Sequence, residues 1–258
     1  MILSTTAELG YTPKRIISLV PSQTELLYGL GLEEETIAIT KFCVHPETWF
    51  KNKPRIGGTK AIDIEKIKDL KPDLIIANKE ENVKEQIEEL AASFPVWVTD
   101  VNTLDEAYGM IGDIGKLCIK ETVASSLITS IKVRFDVLFQ KRDIKNSIPA
   151  AYLIWKNPFM TIGGDTFISS IMEAAGLRNI FSDRARYPEI TLPQLRSMNC
   201  KLLLLSSEPY PFKDNHIAAI QEELPGIRIL LVDGEMFSWY GSRLLLAPAY
   251  FKSLIQEI

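Results

Sequence analysis

Short apolar runs alternate with amphipathic stretches along almost the whole chain, and this alternation is the feature that most limits its possible folds. The runs typical of buried strands lie at residues 15–20, 36–40, 73–77, 96–99, 150–155, 201–206 and 228–232. Helical patterns fill most of the intervals. Strands that alternate with helices form largely parallel sheets with helices on their faces. The pattern therefore predicts the α/β fold class.

Two long helical patterns, at residues 104–117 and 121–142, separate the two similar halves of the chain. In the second pattern the apolar residues recur at steps of three, four and seven, and at 1.5 Å per residue its helix would be roughly 33 Å long. We predict an N-terminal α/β lobe at 1–102, linking helices at 103–145 and a C-terminal α/β lobe at 146–258. The alternative is a long helix that packs within a single domain.

The segment from Arg15 to Leu32 is predicted to be a buried strand that turns directly into a helix. Pro21 cannot donate a hydrogen bond to a neighbouring strand, so the strand ends there. Ser22 is the expected N-cap, and Glu25 three residues later completes a capping-box pattern. The start of this helix could receive a polar ligand group. The alternative is an ordinary strand-to-helix turn with a structural cap.

Composition excludes several classes of function. The chain has 258 residues and a formal charge of -4, with no basic block, so nucleic acid is not an expected partner. It contains no apolar run of the ~20 residues that would span a bilayer. Residues 1–14 lack the apolar core of a signal peptide, which predicts a cytoplasmic protein as the sequence is written, or a periplasmic or outer-face one if a signal has been removed. Three widely spaced cysteines argue against a disulfide scaffold.

Motifs for catalysis and metal binding are weak. The sequence has neither a Gly-x-Ser-x-Gly elbow nor a phosphate-binding loop, so we predict that the chain is not an enzyme. Cys43 and His45 form a Cys-x-His pair that could coordinate a metal, but a closed zinc site needs four ligands. The alternative is a polar loop at the mouth of a cleft. We predict no metal site in the protein itself and no covalently bound cofactor.

Three motifs together carry a family resemblance: the stretch from Arg15 to Leu27, the segment Arg55-Ile-Gly-Gly-Thr59, and the segment Leu70-Lys-Pro-Asp-Leu-Ile-Ile-Ala77, followed by a single linking helix. In this order they resemble the helical-backbone (class III) substrate-binding proteins of ABC importers, over nearly the whole chain. That family carries ferric siderophores, haem and cobalamin, and the chain is most similar to the cobalamin-binding group. The resemblance implies two α/β lobes joined by a long rigid helix, with a ligand cleft between the lobes.

The resemblance further implies that loops at the strand ends line the cleft. A flat macrocycle suits aromatic faces with a few polar groups between them. For each aromatic the alternative is burial within its own lobe. The predicted ligand-binding residues are Ser22, Gln23, Phe42, Cys43, His45, Thr59, Asn78, Trp155, Tyr187, Glu208, Tyr210, Phe237, Trp239, Tyr240 and Arg243.

By this resemblance the chain is a monomeric substrate-binding protein that captures a metal chelate for an ABC permease. The implied ligand is cobalamin, or another corrinoid, a ferric siderophore or haem. The glutamates expected to dock on the permease are Glu81 and Glu85 in the first lobe and Glu222 and Glu223 in the second. The alternative function is a cytosolic enzyme or sensor that acts on a corrinoid or another metal complex.

Overall fold

The computed structural model describes residues 1–139 and 147–257, and these residues divide into two compact units. The first unit consists of Met1–Val101, Asp105–Ser130 and Tyr240–Arg243. The second is the remainder of the described chain. The predicted boundary between residues 145 and 146 lies outside the described residues, so the predicted domain limits stay a prediction.

The first unit is built on a five-stranded sheet in which every pair of neighbouring strands is parallel. Its strands are β1 (Ile2–Leu3), β2 (Ile16–Ser18), β3 (Thr36–Ile39), β4 (Leu74–Asn78) and β5 (Val96–Thr99), in the spatial order β1-β5-β4-β2-β3. Its helices are α1 (Pro21–Gly29), α2 (Glu47–Asn52), α3 (Ile64–Leu70) and α4 (Lys84–Ala91). A short 3₁₀ helix, Thr6–Leu9, follows β1.

Two long helices follow the first sheet: α5 (Leu104–Leu117) and α6 (Glu121–Phe139). Gly115 permits a close approach at the turn between them, because a Cβ there would lie 2.5 Å from the Cβ of Ala124. Helix α6 contributes residues to both units: its residues up to Ser130 belong to the first unit, and those from Ile131 onward belong to the second. The predicted continuation of this helix to Arg142 lies beyond the described residues.

The second unit contains a four-stranded parallel sheet and a separate two-stranded antiparallel ribbon. Its strands are β6 (Ile148–Leu153), β7 (Phe159–Met160), β8 (Leu177–Asn179), β9 (Glu189–Ile190), β10 (Leu202–Ser206) and β11 (Arg228–Val232). The sheet order is β11-β10-β6-β8, and the ribbon pairs β7 with β9. Its helices are α7 (Phe167–Ala174), α8 (Leu192–Ser197), α9 (Asp214–Glu223), α10 (Gly234–Ser238) and α11 (Ala247–Gln256). The 3₁₀ helix Ser242–Leu245 precedes α11.

Burial explains why the central strands read as continuous apolar runs. All five residues of β4 and all five of β10 are buried. Helices pack over both faces of such strands, so each face needs apolar side chains. In the first unit, Ile17 and Ile75 of neighbouring strands share a core with Ile67 of α3. The predicted α/β class with largely parallel sheets is confirmed.

The structure departs from the predicted elements mainly in its shortest strands. The predicted first strand began at Arg15, but β1 precedes it and pairs with β5. Strands β7, β8 and β9 were also not predicted; with two or three residues each, they are too short for a side-chain period to show. Among the described helices, none is long and apolar enough to cross a membrane.

Candidate functional site

The helix that follows β2 begins one residue earlier than predicted. Val20 is its N-cap and Pro21 its first residue, so the prediction of Ser22 as N-cap is wrong. Proline suits this position because its fixed φ is helical and the first helical N–H has no partner within the helix. Ser22 and Gln23 are therefore buried in the first turn. The predicted capping box does not form, and Val20 makes no side-chain cap.

A buried polar network occupies the carboxyl ends of β4 and β5. The side-chain Nε2 of Gln23 donates to Thr99 Oγ1 over 2.5 Å, and the side-chain Nδ2 of Asn78 donates to the same oxygen over 3.1 Å. Asn82, just before α4, donates from Nδ2 to the backbone oxygen of Thr59 over 3.1 Å. Gln23, Thr59 and Asn78 were predicted to contact ligand. In the structure, these hydrogen bonds join Gln23 to Asn78 through Thr99, and Thr59 to Asn82, all within the first unit.

Cys43 and His45 do not share one environment. Cys43 is buried, and its Sγ lies 3.0 Å from Thr24 Oγ1 and 3.1 Å from Thr40 Oγ1. Burial raises the pKa of the Cys43 thiol. The thiol is therefore protonated at neutral pH and is a poor metal donor, since the thiolate is the ligand form. His45 is half-buried, and within residues 1–139 and 147–257 no group of three or more His, Cys, Asp or Glu could hold a metal ion.

Phe42 differs from its neighbour Cys43 because its side chain is 51% exposed. Its ring lies against Gly58, where a Cβ would come within 3.1 Å of a ring carbon. The ammonium of Lys41 lies 5.1 Å from the ring centroid. Among the predicted contact residues of the first unit, Phe42 thus offers a large aromatic face to solvent.

Arg243 pairs with Glu25 within the first unit. Its Nε donates to Glu25 Oε2 over 2.9 Å and its Nη2 to Oε1 over 2.8 Å, which is a bidentate arrangement. Arg243 is only 8% exposed, and its neighbour Tyr240 is also buried. The guanidinium predicted to contact ligand is therefore bound by a carboxylate of its own unit. Glu25 is a residue whose role the sequence pattern missed.

In the second unit, Glu208 follows β10 and holds the end of α10. One carboxylate oxygen accepts hydrogen bonds from Ser238 Oγ over 2.6 Å and from Trp239 Nε1 over 3.1 Å. Gly234 allows this approach, since a Cβ there would lie 2.5 Å from Glu208 Cγ. Desolvation by burial raises the pKa of the Glu208 carboxyl, although the two donors act in the opposite direction. Glu208 and Trp239 are thus linked directly.

The exposed side chain of Trp155 lies beside the half-buried side chain of Tyr210 in the second unit. Trp155 is 41% exposed, and its ring meets that of Tyr210 edge-on at 5.6 Å between centroids. Behind Tyr210 lies Phe212 at 4.7 Å, and His216 of α9 lies 5.6 Å from each of these two rings. We call Trp155 and Tyr210 the aromatic pair. His216 was not predicted to belong to this group.

The remaining predicted aromatics have different surroundings. Phe237 is fully buried between Tyr152 at 5.1 Å and Phe251 at 4.8 Å, so the structure places it in the core of the second unit. Tyr187 is half-buried, and the guanidinium of Arg186 lies 5.5 Å from its ring centroid. Ligand contact by these residues stays a prediction.

The four predicted docking glutamates lie at the ends of two helices. Glu85 is exposed in the first turn of α4, and Glu81 is half-buried just before it. Lys84, beside Glu85, pairs with Glu88 at 3.6 Å. Glu222 and Glu223 are exposed at the end of α9. Their positions are compatible with a docking role, which stays a prediction.

Comparison with known proteins identifies the family of this chain. The family described as periplasmic binding protein matches residues 16–224. The vitamin B12-binding protein of Pectobacterium carotovorum subsp. carotovorum (strain PC1) is 28% identical over 242 residues, which are 91% of this chain and 86% of that protein.

Solved structures share the fold at lower identity. The periplasmic vitamin B12-binding protein of Vibrio cholerae superposes with a TM-score of 0.79 at 22% identity, covering 95% of this chain and 97% of that one. The periplasmic haem-binding protein of Roseiflexus sp. RS-1 gives a TM-score of 0.77 at 19% identity, covering 93% of this chain and 98% of that one.

The matched family consists of binding proteins, which confirms the predicted binding role and the prediction that the chain is not an enzyme. The alternative of a cytosolic enzyme or sensor finds no support in these likenesses. Because the match extends over most of the sequence, this chain belongs to the periplasmic binding protein family.

Proposed function

We propose that this protein captures a corrinoid, with cobalamin as the first candidate, and delivers it to an ABC-type importer. The observation that carries the proposal is the likeness to a vitamin B12-binding protein over 91% of this chain. The fold alone does not choose the ligand, because a haem-binding protein superposes almost as well as a B12-binding one. The sequence likeness favours the corrinoid.

The chemistry of the predicted contact residues supports the same ligand. Haem carries two carboxylates, and a protein that binds it gains from a cation that is free to pair with them. The one arginine in the predicted set, Arg243, is already bound by Glu25. The aromatic pair offers an apolar face, and aromatic faces with a few polar groups between them suit a flat macrocycle.

The proposal includes an external location and a membrane partner. The family name describes periplasmic proteins, so we propose that the chain works outside the cytoplasmic membrane. Glu85 of the first unit and Glu222 and Glu223 of the second are exposed carboxylates. We propose that they pair with basic residues of a permease, an interaction that salt would weaken because exposed ion pairs are screened.

Equilibrium dialysis against three chromophores tests the ligand. Purified protein is dialysed against cyanocobalamin, haemin and a ferric hydroxamate, and the visible absorption on each side of the membrane is read. We expect retention of cyanocobalamin with a Kd of about 1 µM or tighter, near -8 kcal/mol. Retention of haemin or the hydroxamate alone would replace the corrinoid in the proposal, and retention of none would contradict it.

Replacement of Trp155 tests whether the aromatic pair contacts the ligand. We expect Trp155→Ala to weaken cyanocobalamin binding about tenfold, because a large aromatic contact is worth more than about 1 kcal/mol when truncated. Tyr28→Ala is the matched control, since Tyr28 is also an exposed aromatic but is not a predicted contact residue. Equal affinity of the Trp155→Ala and Tyr28→Ala variants would remove the aromatic pair from the site.

A further inference from the structure

The side chain of His216 contacts both the N-terminal end of α9 and the side chain of Tyr210. Its Nδ1 accepts a hydrogen bond from the backbone N–H of Lys213 over 2.9 Å. Its Nε2 lies 3.4 Å from the hydroxyl oxygen of Tyr210. In a neutral imidazole one nitrogen accepts while the other carries the proton. The geometry therefore assigns the proton of His216 to Nε2, with Nδ1 free to accept.

The charged groups that face His216 oppose a second proton on its ring. They are Lys156, from the turn between β6 and β7, and Lys213, from the segment before α9. Tyr210 is the titratable neighbour on the loop after β10. The first turn of α9 adds the positive end of its helix dipole. Desolvation, and then these two lysines, lower the pKa of His216.

The ring of His216 also supports the aromatic pair from behind. The rings of His216 and Phe212 lie 5.6 Å apart, edge to face. Both rings contact Tyr210, whose other neighbour is Trp155. A change at His216 therefore reaches Tyr210 directly and Trp155 through one further contact.

We propose that His216 is a positioning residue for the aromatic pair, and that its protonation weakens chelate binding in mildly acidic solution. The inference rests on the proposed function. A protonated imidazole carries a hydrogen on both nitrogens and cannot accept from the N–H of Lys213. The first turn of α9 then loses its side-chain bond. Nε2 keeps its proton towards Tyr210, but the His216 ring that contacts Tyr210 loses the hydrogen bond that fixes its position. The effect sets in as pH falls below about 6.5, the ordinary histidine pKa.

The test compares the Kd for cyanocobalamin between about pH 7.5 and about pH 5.5 in three proteins, a range in which histidine titrates. Glutamine at the third helical position accepts from the N-cap N–H without titrating. The His216→Gln variant therefore keeps the hydrogen bond from the N–H of Lys213 and removes the titratable group. We expect the wild-type Kd to rise about fivefold or more on acidification, and that of His216→Gln to stay constant. His216→Ala should bind weakly at both pH values. The other histidine, His45, is unchanged in all three proteins.

Near-ultraviolet circular dichroism of the ligand-free protein separates this inference from the proposed function. The tyrosine and tryptophan signal of the wild type should change with a midpoint below about pH 6.5, and that of His216→Gln should not. Equal pH dependence in the two proteins, or a wild-type affinity that does not change, overturns the inference. Failure of the wild type to bind cyanocobalamin at neutral pH overturns the proposed function, while the dichroism still decides whether His216 positions Tyr210.

Discussion

At the scale of single residues, Arg243 and Glu25 show how a side chain's role depends on its partner. Arg243 was predicted to contact ligand, and Glu25 to complete a capping box. The structure joins the two, although they lie 218 positions apart in the sequence. Spacing along a helix predicts neighbours three or four residues away, but it carries no information about a partner at that separation.

Removal of one member of this ion pair should destabilise the first unit. Glu25→Gln or Arg243→Met each leaves a partly buried charge without its partner, which costs about 3 kcal/mol in comparable pairs. Urea unfolding followed by far-ultraviolet circular dichroism measures the free energy of unfolding. The double variant Glu25→Gln, Arg243→Met should lose less than the sum of the single variants. Single-variant losses below about 0.5 kcal/mol would show that the pair does not stabilise the fold.

The exposure of the predicted contact residues could not be predicted. The rule that loops at the carboxyl ends of strands bind ligands led to Gln23, Asn78 and Glu208. Gln23 and Asn78 are buried and Glu208 is half-buried, and their hydrogen-bond partners come from other elements, such as Thr99 for Gln23 and Ser238 for Glu208. Trp155 and Phe42 were selected by the same rule and are exposed. The pattern therefore predicts where polar and aromatic groups gather, and the packing decides which of them face solvent.

At the scale of elements, strand length decides what a sequence reveals. Strands β5 and β11 have the predicted bounds, since each is an apolar run with a clear start and end. The two-residue strands β7 and β9 have no pattern of their own and exist through their mutual pairing. The start of α1 was misjudged for another reason. Both Pro21 and Ser22 favour a helix start. Pro21 occupies the first helical position, so the N-cap is Val20 and not Ser22.

Two glycines should respond to the same substitution in opposite ways. Gly109 lies exposed in α5 with nothing within 4 Å of the position of a Cβ, whereas a Cβ on Gly164 would overlap the backbone oxygen of Ser182. Gly109→Ala should stabilise the protein by about 0.5–1 kcal/mol, because alanine favours the helix. Gly164→Ala should destabilise it. Thermal unfolding midpoints measure both changes, and a shift of the same sign in the two variants would contradict these assignments.

At the scale of the whole molecule, the fold and the family could be predicted from the sequence, while the ligand could not. The alternation of strands and helices predicts the α/β class, and the ordered motifs from Arg15 to Ala77 predict the family that matches residues 16–224. One fold accommodates both a B12-binding and a haem-binding protein. The choice between ligands therefore depends on a few side chains that no strand or helix pattern identifies.

Isothermal titration of the full chain with cyanocobalamin at neutral pH tests the central claim most directly. Calorimetry measures stoichiometry and affinity together and does not depend on which residues form the site. We expect one saturable transition with one cyanocobalamin per chain and a Kd of about 1 µM or tighter. The absence of saturable heat up to about 1 mM, a binding free energy weaker than about -4 kcal/mol, would contradict the claim that this protein captures a corrinoid.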